Sequence, residues 1–254
     1  MRNILIIARR DLRAQFNSPV AYVVLGGTML LLGVLFFVIP HMAVGGELVG
    51  GFWEIDHATL EQMFTYIPPL LSVLVIPAVT MRSLAAEKGT GTLELLITMP
   101  VRDSEVILGK YLAACIMVFV FLAATLLYPI VMFWWPWHLG PLDWGPVRSG
   151  YLGCVLFTFA AVGVGMMFSS LTESDVVAFF LTTGTFVILY AIGAVAALFH
   201  GGALADAVDF ISFQSRYRSF ARGLIDTRAI VYFFSVALLC LLVSFRSLES
   251  RKWS

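Results

Sequence analysis

Histidines and carboxylates are the side chains from which this sequence would build a metal site or a hydrolytic centre. The histidines are His41, His57, His138 and His200. Two of them lie near Glu47, Glu54, Asp56 and Glu61, a donor set that imidazole-binding metals accept. None has HxxxH or HExxH spacing, which would place two ligands on one helical face. Solvated or interfacial histidines are the favoured reading, and no metal site is assigned. Cys115, Cys154 and Cys240 each lie inside an apolar run without a CxxC neighbour and read as small apolar fillers. The chain has no G-x-x-x-x-G-K-[ST] run and no dinucleotide-binding glycine pattern. No catalytic residue and no cofactor are therefore assigned to it, and ATP hydrolysis is not expected of it.

The chemistry that remains is recognition, and it is concentrated in Arg82–Pro100. Arg82–Lys88 can extend a helix out of the membrane into water. Gly89–Gly91 breaks that helix. Thr92 suits the N-cap of a short second helix, and Glu94 its positive first turn. Leu93, Leu95 and Leu96 give this helix an apolar side, and Pro100 ends it. Asp103 or Ser104 can cap the helix that follows. A leucine cluster between charges suits docking into a partner's groove. A well-packed interhelical loop is the plainer alternative.

The elements that position this loop follow from composition. Of 254 residues, 60% are hydrophobic and 13% charged, against about 25% charged in ordinary soluble domains. That excludes most soluble classes. Net charge is zero, which argues against a nucleic-acid partner. Six apolar segments approach the roughly 20 residues needed to cross a bilayer: 20–39, 63–81, 106–135, 151–168, 176–199 and 229–245. Apart from Lys110, counted here with the loop charges, they carry no Asp, Glu, Lys or Arg. The first is too long for a cleaved signal segment. Without strand-like alternation, the segments read as helices, and the fold class is an all-α integral membrane protein. The third bends near Tyr128-Pro129. Missing charge at depth argues against an ion pump or a proton relay.

Charge asymmetry orients the spans. Arg2, Arg9, Arg10 and Arg13 in the arm 1–19 place the N-terminus in the cytoplasm, and Arg246, Arg251 and Lys252 place the C-terminus there too. The loop 82–105, with Arg82, Lys88 and Arg102, is then cytoplasmic. Ile4, Leu5, Ala8 and Leu12 make the arm an amphipathic helix for the inner interface. Trp53, Trp134, Trp135, Trp137 and Trp144 read as outer-interface anchors and Trp253 as an inner one. One loop disagrees: 201–228 carries Arg216, Arg218, Arg222 and Arg228 but should be external. Phe210, Phe213, Tyr217, Phe220 and Leu224 recur at helical spacing in it. They predict an external amphipathic helix with its rings in lipid or against neighbouring helices. Glu173 and Asp175 fall in a short cytoplasmic loop, as helix caps or as a second partner contact. Ala161, Gly165 and Ser169 form a small-x-x-x-small face, as do Gly193, Ala197 and Gly201. Helix packing is the first reading of both, a dimer seam the second.

The run E-K-G-T-G-T-L-E-L-L-I-T-M-P at 87–100 resembles the permease subunits of ABC-2-type transporters. So do R-D-S-E-V-I-L-G-K at 102–110, I-A-R-R-D-L-R at 7–13 and the six spans, which together cover nearly the whole chain. The patterns F-x-x-G-x-x-D-x-R at 220–228 and R-S-L-E-x-R-K-W at 246–253 resemble the branch of gliding-motility-type and nitrous-oxide-reductase-maturation-type permeases. The resemblance implies one transmembrane domain over 1–254, with an interfacial connecting helix and a coupling helix in 82–105. Re-entrant or interfacial helices are implied in 201–228. It implies Glu87, Gly89, Thr90, Thr92, Glu94 and Pro100 as coupling-loop signature positions, with Leu93, Leu95 and Leu96 as the contact face. The implied partners are a separate ABC ATPase in two copies, holding ATP and Mg, and a second permease copy or a homologous permease. An additional envelope component and a bacterial inner-membrane location are further expectations. The implied function is export, coupled to that ATPase, of an unidentified substrate, lipidic or glycan-linked. The alternative is a non-transporting anchor that transmits force within an ATPase-driven envelope assembly.

Overall fold

The computed structural model describes residues 2–37, 41–42, 48–49, 60–91, 102–133, 144–198 and 212–250. Helix α1 (Arg2–Phe16) ends at Asn17, and α2 (Pro19–Phe37) begins on a proline, whose missing N–H costs nothing in a first helical turn. Strands β1 (His41–Met42) and β2 (Leu48–Val49) pair antiparallel, with His41 opposite Val49. Next come α3 (Glu61–Leu70), a π-helical turn (Leu71–Val75) and α4 (Ile76–Gly89). Helices α5 (Asp103–Thr125) and α6 (Leu127–Phe133) follow. Then come α7 (Trp144–Leu171), α8 (Asp175–Leu198), α9 (Phe213–Ala221) and α10 (Thr227–Ser250).

Among the described residues, six helical stretches are long and apolar enough to cross a membrane: Pro19–Phe37, Met63–Gly89, Asp103–Val131, Trp144–Leu171, Asp175–Ile192 and Thr227–Glu249. The fold is an all-α membrane bundle; its one extended pairing among the described residues is the two-residue β1–β2 ladder. Lys110 is a correction to the sequence reading. It lies inside the third span, about two turns from its start, and is buried.

Helix α7 is the centre of the bundle. Its apolar window is 72% buried, against 17% for the α2 and α8 windows. Small residues let it hold that place. An added Cβ at Gly150 would lie 2.8 Å from the Phe64 ring, and one at Gly153 would lie 2.6 Å from Phe220 Cβ. One at Gly163 would lie 3.3 Å from Ala237 Cα, and one at Gly165 would run into Thr80. The Ala161–Gly165–Ser169 face is therefore spent on packing against α4 within this chain. The side chains of 193, 197 and 201 lie outside the described residues.

Two proline effects shape the spans. Pro77 has no N–H to give the Val73 carbonyl; Thr183 Oγ1 on α8 donates to it instead, at 3.3 Å. Ser72 Oγ donates to the Pro69 carbonyl at 3.0 Å. The rod widens into a π turn here, with Ile76 N–H bonded to the Leu71 carbonyl. In the third span the helix breaks at Leu126, earlier than Tyr128-Pro129, because the proline withholds a donor from the carbonyl four residues back. Tyr128 then donates its hydroxyl to the Met29 carbonyl of α2 at 2.5 Å. Elsewhere Thr28, Thr80, Thr158, Thr182 and Ser244 each bond the carbonyl four residues earlier, which satisfies their hydroxyls inside the helices.

The close approach at Gly153 makes a prediction. Gly153→Ala forces Phe220 and α9 outward and costs about 1–3 kcal/mol as overpacking. Gly184→Ala, in open space, is neutral or stabilising. Thermal unfolding in mild detergent checks both: the midpoint falls for Gly153→Ala alone.

Candidate functional site

The C-termini of α4, α7 and α10, the N-termini of α5 and α8, and the whole of α1 meet at one end of the bundle. The ion pairs of α1, α4, α5 and α8 lie here. Helix α1 lies against α5 because Gly109 leaves room for it: an added Cβ would be 2.9 Å from Ile7 Cβ and 3.0 Å from the Ile4 carbonyl. Asn3 Nδ2 donates to Glu105 Oε2 at 3.0 Å, and the same oxygen accepts the Arg102 backbone N–H at 3.3 Å. Arg102, rather than Asp103 or Ser104, occupies the N-cap position, and Glu105 folds back to satisfy its N–H.

Helix α1 brings Asp11 to the buried Lys110. Lys110 Nζ lies 3.1 Å from Asp11 Oδ2 and 2.8 Å from Glu87 Oε1. Arg10 closes the ring at 2.9 Å from Asp11 Oδ1 and 3.2 Å from Glu87 Oε1. The four charges sum to zero, so the ammonium is neutralised where water is scarce. Glu87, a sequence-predicted site residue, is thus the joint between α4, α5 and the arm.

The next residue ties α4 to the core. Lys88 Nζ donates to the Ser170 carbonyl at the C-terminal end of α7, where a cation is favoured by the helix dipole. Ser247 Oγ on α10 donates to the same carbonyl at 2.7 Å. Ser169 Oγ accepts the backbone N–H of Leu84 and Ala85 at 3.0 and 3.1 Å and donates to the Met81 carbonyl at 3.1 Å.

Gly89 is required by contact. A Cβ there would lie 2.7 Å from the Glu173 backbone carbonyl, so the loop before α8 touches the end of α4. Thr90 caps α4, its hydroxyl donating to the Ala86 carbonyl at 2.9 Å, and Gly91 takes the left-handed conformation, at φ 69°. Thr92, Leu93, Glu94, Leu95, Leu96 and Pro100 lie outside the described residues. Glu173 meets Gly89 through its backbone. Asp175 opens α8 in the first turn, with Oδ2 at 3.7 Å from Arg82 Nε.

At the opposite end, α9 packs on α7. Phe213, Tyr217 and Phe220 are buried against neighbouring helices, not lipid. Phe157 is ringed by Phe186, Phe213, Tyr217 and Phe233 at centroid distances of 5.7–6.5 Å. Tyr217 shares a 3.2 Å contact with Cys154 Sγ, and burial pushes its phenol well above the ordinary value. Arg216 lies 5.9 Å over the Tyr232 ring. Leu224 is a correction: the helix ends at Ala221, Gly223 takes φ 92°, and Leu224 is exposed. Phe210 lies outside the described residues. So do His57, His138, His200 and the side chain of His41; among the described residues no three His, Cys, Asp or Glu groups converge as a metal site.

Sequence reasoning missed Arg10, Asp11, Lys110, Ser169, Ser170 and Ser247. Lys110 left a readable trace: a lone lysine inside an apolar stretch needs a buried carboxylate. Nothing in the sequence told which one. The cluster makes a second prediction. Lys110→Met leaves Asp11 and Glu87 facing each other, which costs about 1–3 kcal/mol, less than a fully desolvated pair because those carboxylates keep 15% and 24% exposure. Adding Glu87→Gln recovers part of that loss. Faster tryptic cleavage at Arg9 and Arg13 in Lys110→Met reports the undocking of α1.

No curated protein matches the chain significantly in sequence. A family model does: the one described as ABC-2 family transporter protein matches residues 20–246, from the first turn of α2 into the last turns of α10. Only 1–19 and 247–254 fall outside that match, which takes in nearly all of each candidate span and the Glu87–Lys110 joint. The chain belongs to the ABC-2 family of transporter membrane proteins, as a permease subunit.

Proposed function

We propose that this permease couples ATP hydrolysis in a separate ABC ATPase to export, and that the coupling surface is the polar end of the bundle. On this reading that end is cytoplasmic, with both termini, in a bacterial inner membrane. The ATPase, in two copies, holds the ATP and Mg. Residues Thr92, Leu93, Glu94, Leu95, Leu96 and Pro100 form the segment it contacts, and Glu173 and Asp175 give a second contact. A second permease copy, or a homologous permease, completes the pathway. The substrate is an amphiphile, in keeping with a bundle whose outward faces are apolar.

The observation that carries this reading is the way α4 ends. The segment expected to meet the ATPase follows Gly91, directly after residues clamped to four neighbours. Glu87 is held by α5 and α1, Lys88 by the end of α7, and Gly89 by the loop before α8. On this reading a push that reaches the end of α4 passes through these contacts to the central helix and the arm. The π turn lies about four turns farther along the same rod. It is a place where the rod can bend, because its backbone bonds are shared with α8.

The test is reconstitution of the chain with its co-purifying ATPase in proteoliposomes. Gly89→Ala pushes the Glu173 carbonyl away, and permease-dependent ATPase stimulation falls about 5- to 100-fold, a coupling of 1–3 kcal/mol. The thermal midpoint of the isolated permease falls too, since a backbone carbonyl must shift, so stimulation is read at a temperature where the variant stays folded. Stimulation equal to that of the unaltered chain sinks the coupling assignment. Normal stimulation with no nucleotide-dependent flux of any amphiphile identifies force transmission without transport.

A further inference from the structure

Beside the ionic joint a half-open cavity of about 310 Å³ separates the α1–α2 elbow from α4 and α5. Its two ends differ. Toward the middle of the bundle the wall is Val20, Val24, Leu25, Val79 and Met117. Toward the polar end it is Asp11, Gln15, Arg82, Glu87 and Lys110. From Val79 to Glu87 along α4 the change takes eight residues, about 12 Å. The cavity is thus apolar below and charged above along the bundle axis, as a lipid is.

Its polar groups define the head group further. Gln15 Oε1 is buried and has no hydrogen-bond donor among the described residues. A buried acceptor left that way is costly, and the group that satisfies it must carry an N–H or O–H. Asp11 stands one turn away on the same face of α1; its Oδ2 is taken by Lys110 and its Oδ1 by the exposed Arg10, so a cation on Gln15 meets Asp11 by displacing Arg10 from Oδ1. Arg82 is the exposed cation of the lining, and its recorded ion pair is the long 3.7 Å approach to Asp175. It is free to turn toward a phosphate at the mouth. Acceptors with a carboxylate inside and a guanidinium outside complement a zwitterion whose ammonium goes in first.

We propose that this cavity binds a phospholipid with a primary ammonium head group, phosphatidylethanolamine in chemical class. The acyl chain lies along α2, α4 and α5, the ammonium on Gln15 and Asp11, and the phosphate on Arg82. The preceding reading supplies only the leaflet, the inner one. Binding itself needs neither ATPase nor transport, so it is measured apart from them.

The test uses the full chain, equilibrated in vesicles of equal parts phosphatidylethanolamine, phosphatidylcholine and phosphatidylglycerol with matched acyl chains. Lipid retained after mild extraction is read by native mass spectrometry. Phosphatidylethanolamine is retained over phosphatidylcholine about tenfold, since the choline head has no donor for Gln15. Gln15→Leu, close in volume, lowers it to the phosphatidylcholine level. Val24→Trp fills the apolar half and removes both. Equal retention of all three lipids, or selectivity that survives Gln15→Leu, overturns the proposal. Retention of phosphatidylglycerol as strong as phosphatidylethanolamine overturns the ammonium assignment. Should Val24→Trp fail to fold, Gln15→Leu decides by the same readout.

Discussion

Lys110 carries a charge into the wall of an apolar bundle, and the polar end is organised around neutralising it. An ammonium there without a counter-ion would cost several kcal/mol, so two carboxylates must reach it. One, Glu87, comes from the end of the second span. The other, Asp11, comes from an amphipathic helix outside the spans. The arm is therefore held by electrostatics as well as by the fit of Ile4 and Ile7 over Gly109. Removing the charge would free the arm. Removing the arm would leave the charge to Glu87.

The same accounting governs the backbone. Inside a bilayer every carbonyl without a helical donor needs another, and prolines create such carbonyls. Here Thr183 and Ser72 serve carbonyls around the π turn, and Tyr128 crosses to the Met29 carbonyl of α2 near the break in the third span. The Thr183 and Tyr128 bonds run between helices, so the irregular turns fasten neighbours together. A rod interrupted in this way can change its bend by exchanging bonds without exposing polar groups to lipid.

Much of the architecture was legible because lipid leaves few options. Apolar length and low charge gave six helices, and the Gly89–Gly91 run gave the end of the second span. The rings at Phe213, Tyr217 and Phe220 followed from helical spacing. Leu224 did not, because spacing continues through a positive-φ glycine on paper while the helix stops there. Lys110 was assigned to the loop for a similar reason: hydropathy averages over a window and hides one paired charge. The face of Ala161, Gly165 and Ser169 was visible as small residues, but sequence could not choose between a neighbour in the same chain and a second copy.

The sequence by itself determined the solvent and the number of spans. These depend on composition and local spacing, which need no knowledge of neighbours. Only the tertiary structure decided the partners. Lys110 meets Asp11 across 99 positions and Glu87 across 23, Lys88 meets Ser170 across 82, and Gly89 meets the Glu173 carbonyl. Such pairings depend on which helices lie side by side. That order is set by the fit of side chains over the glycines of α5 and α7, which no single stretch of sequence contains.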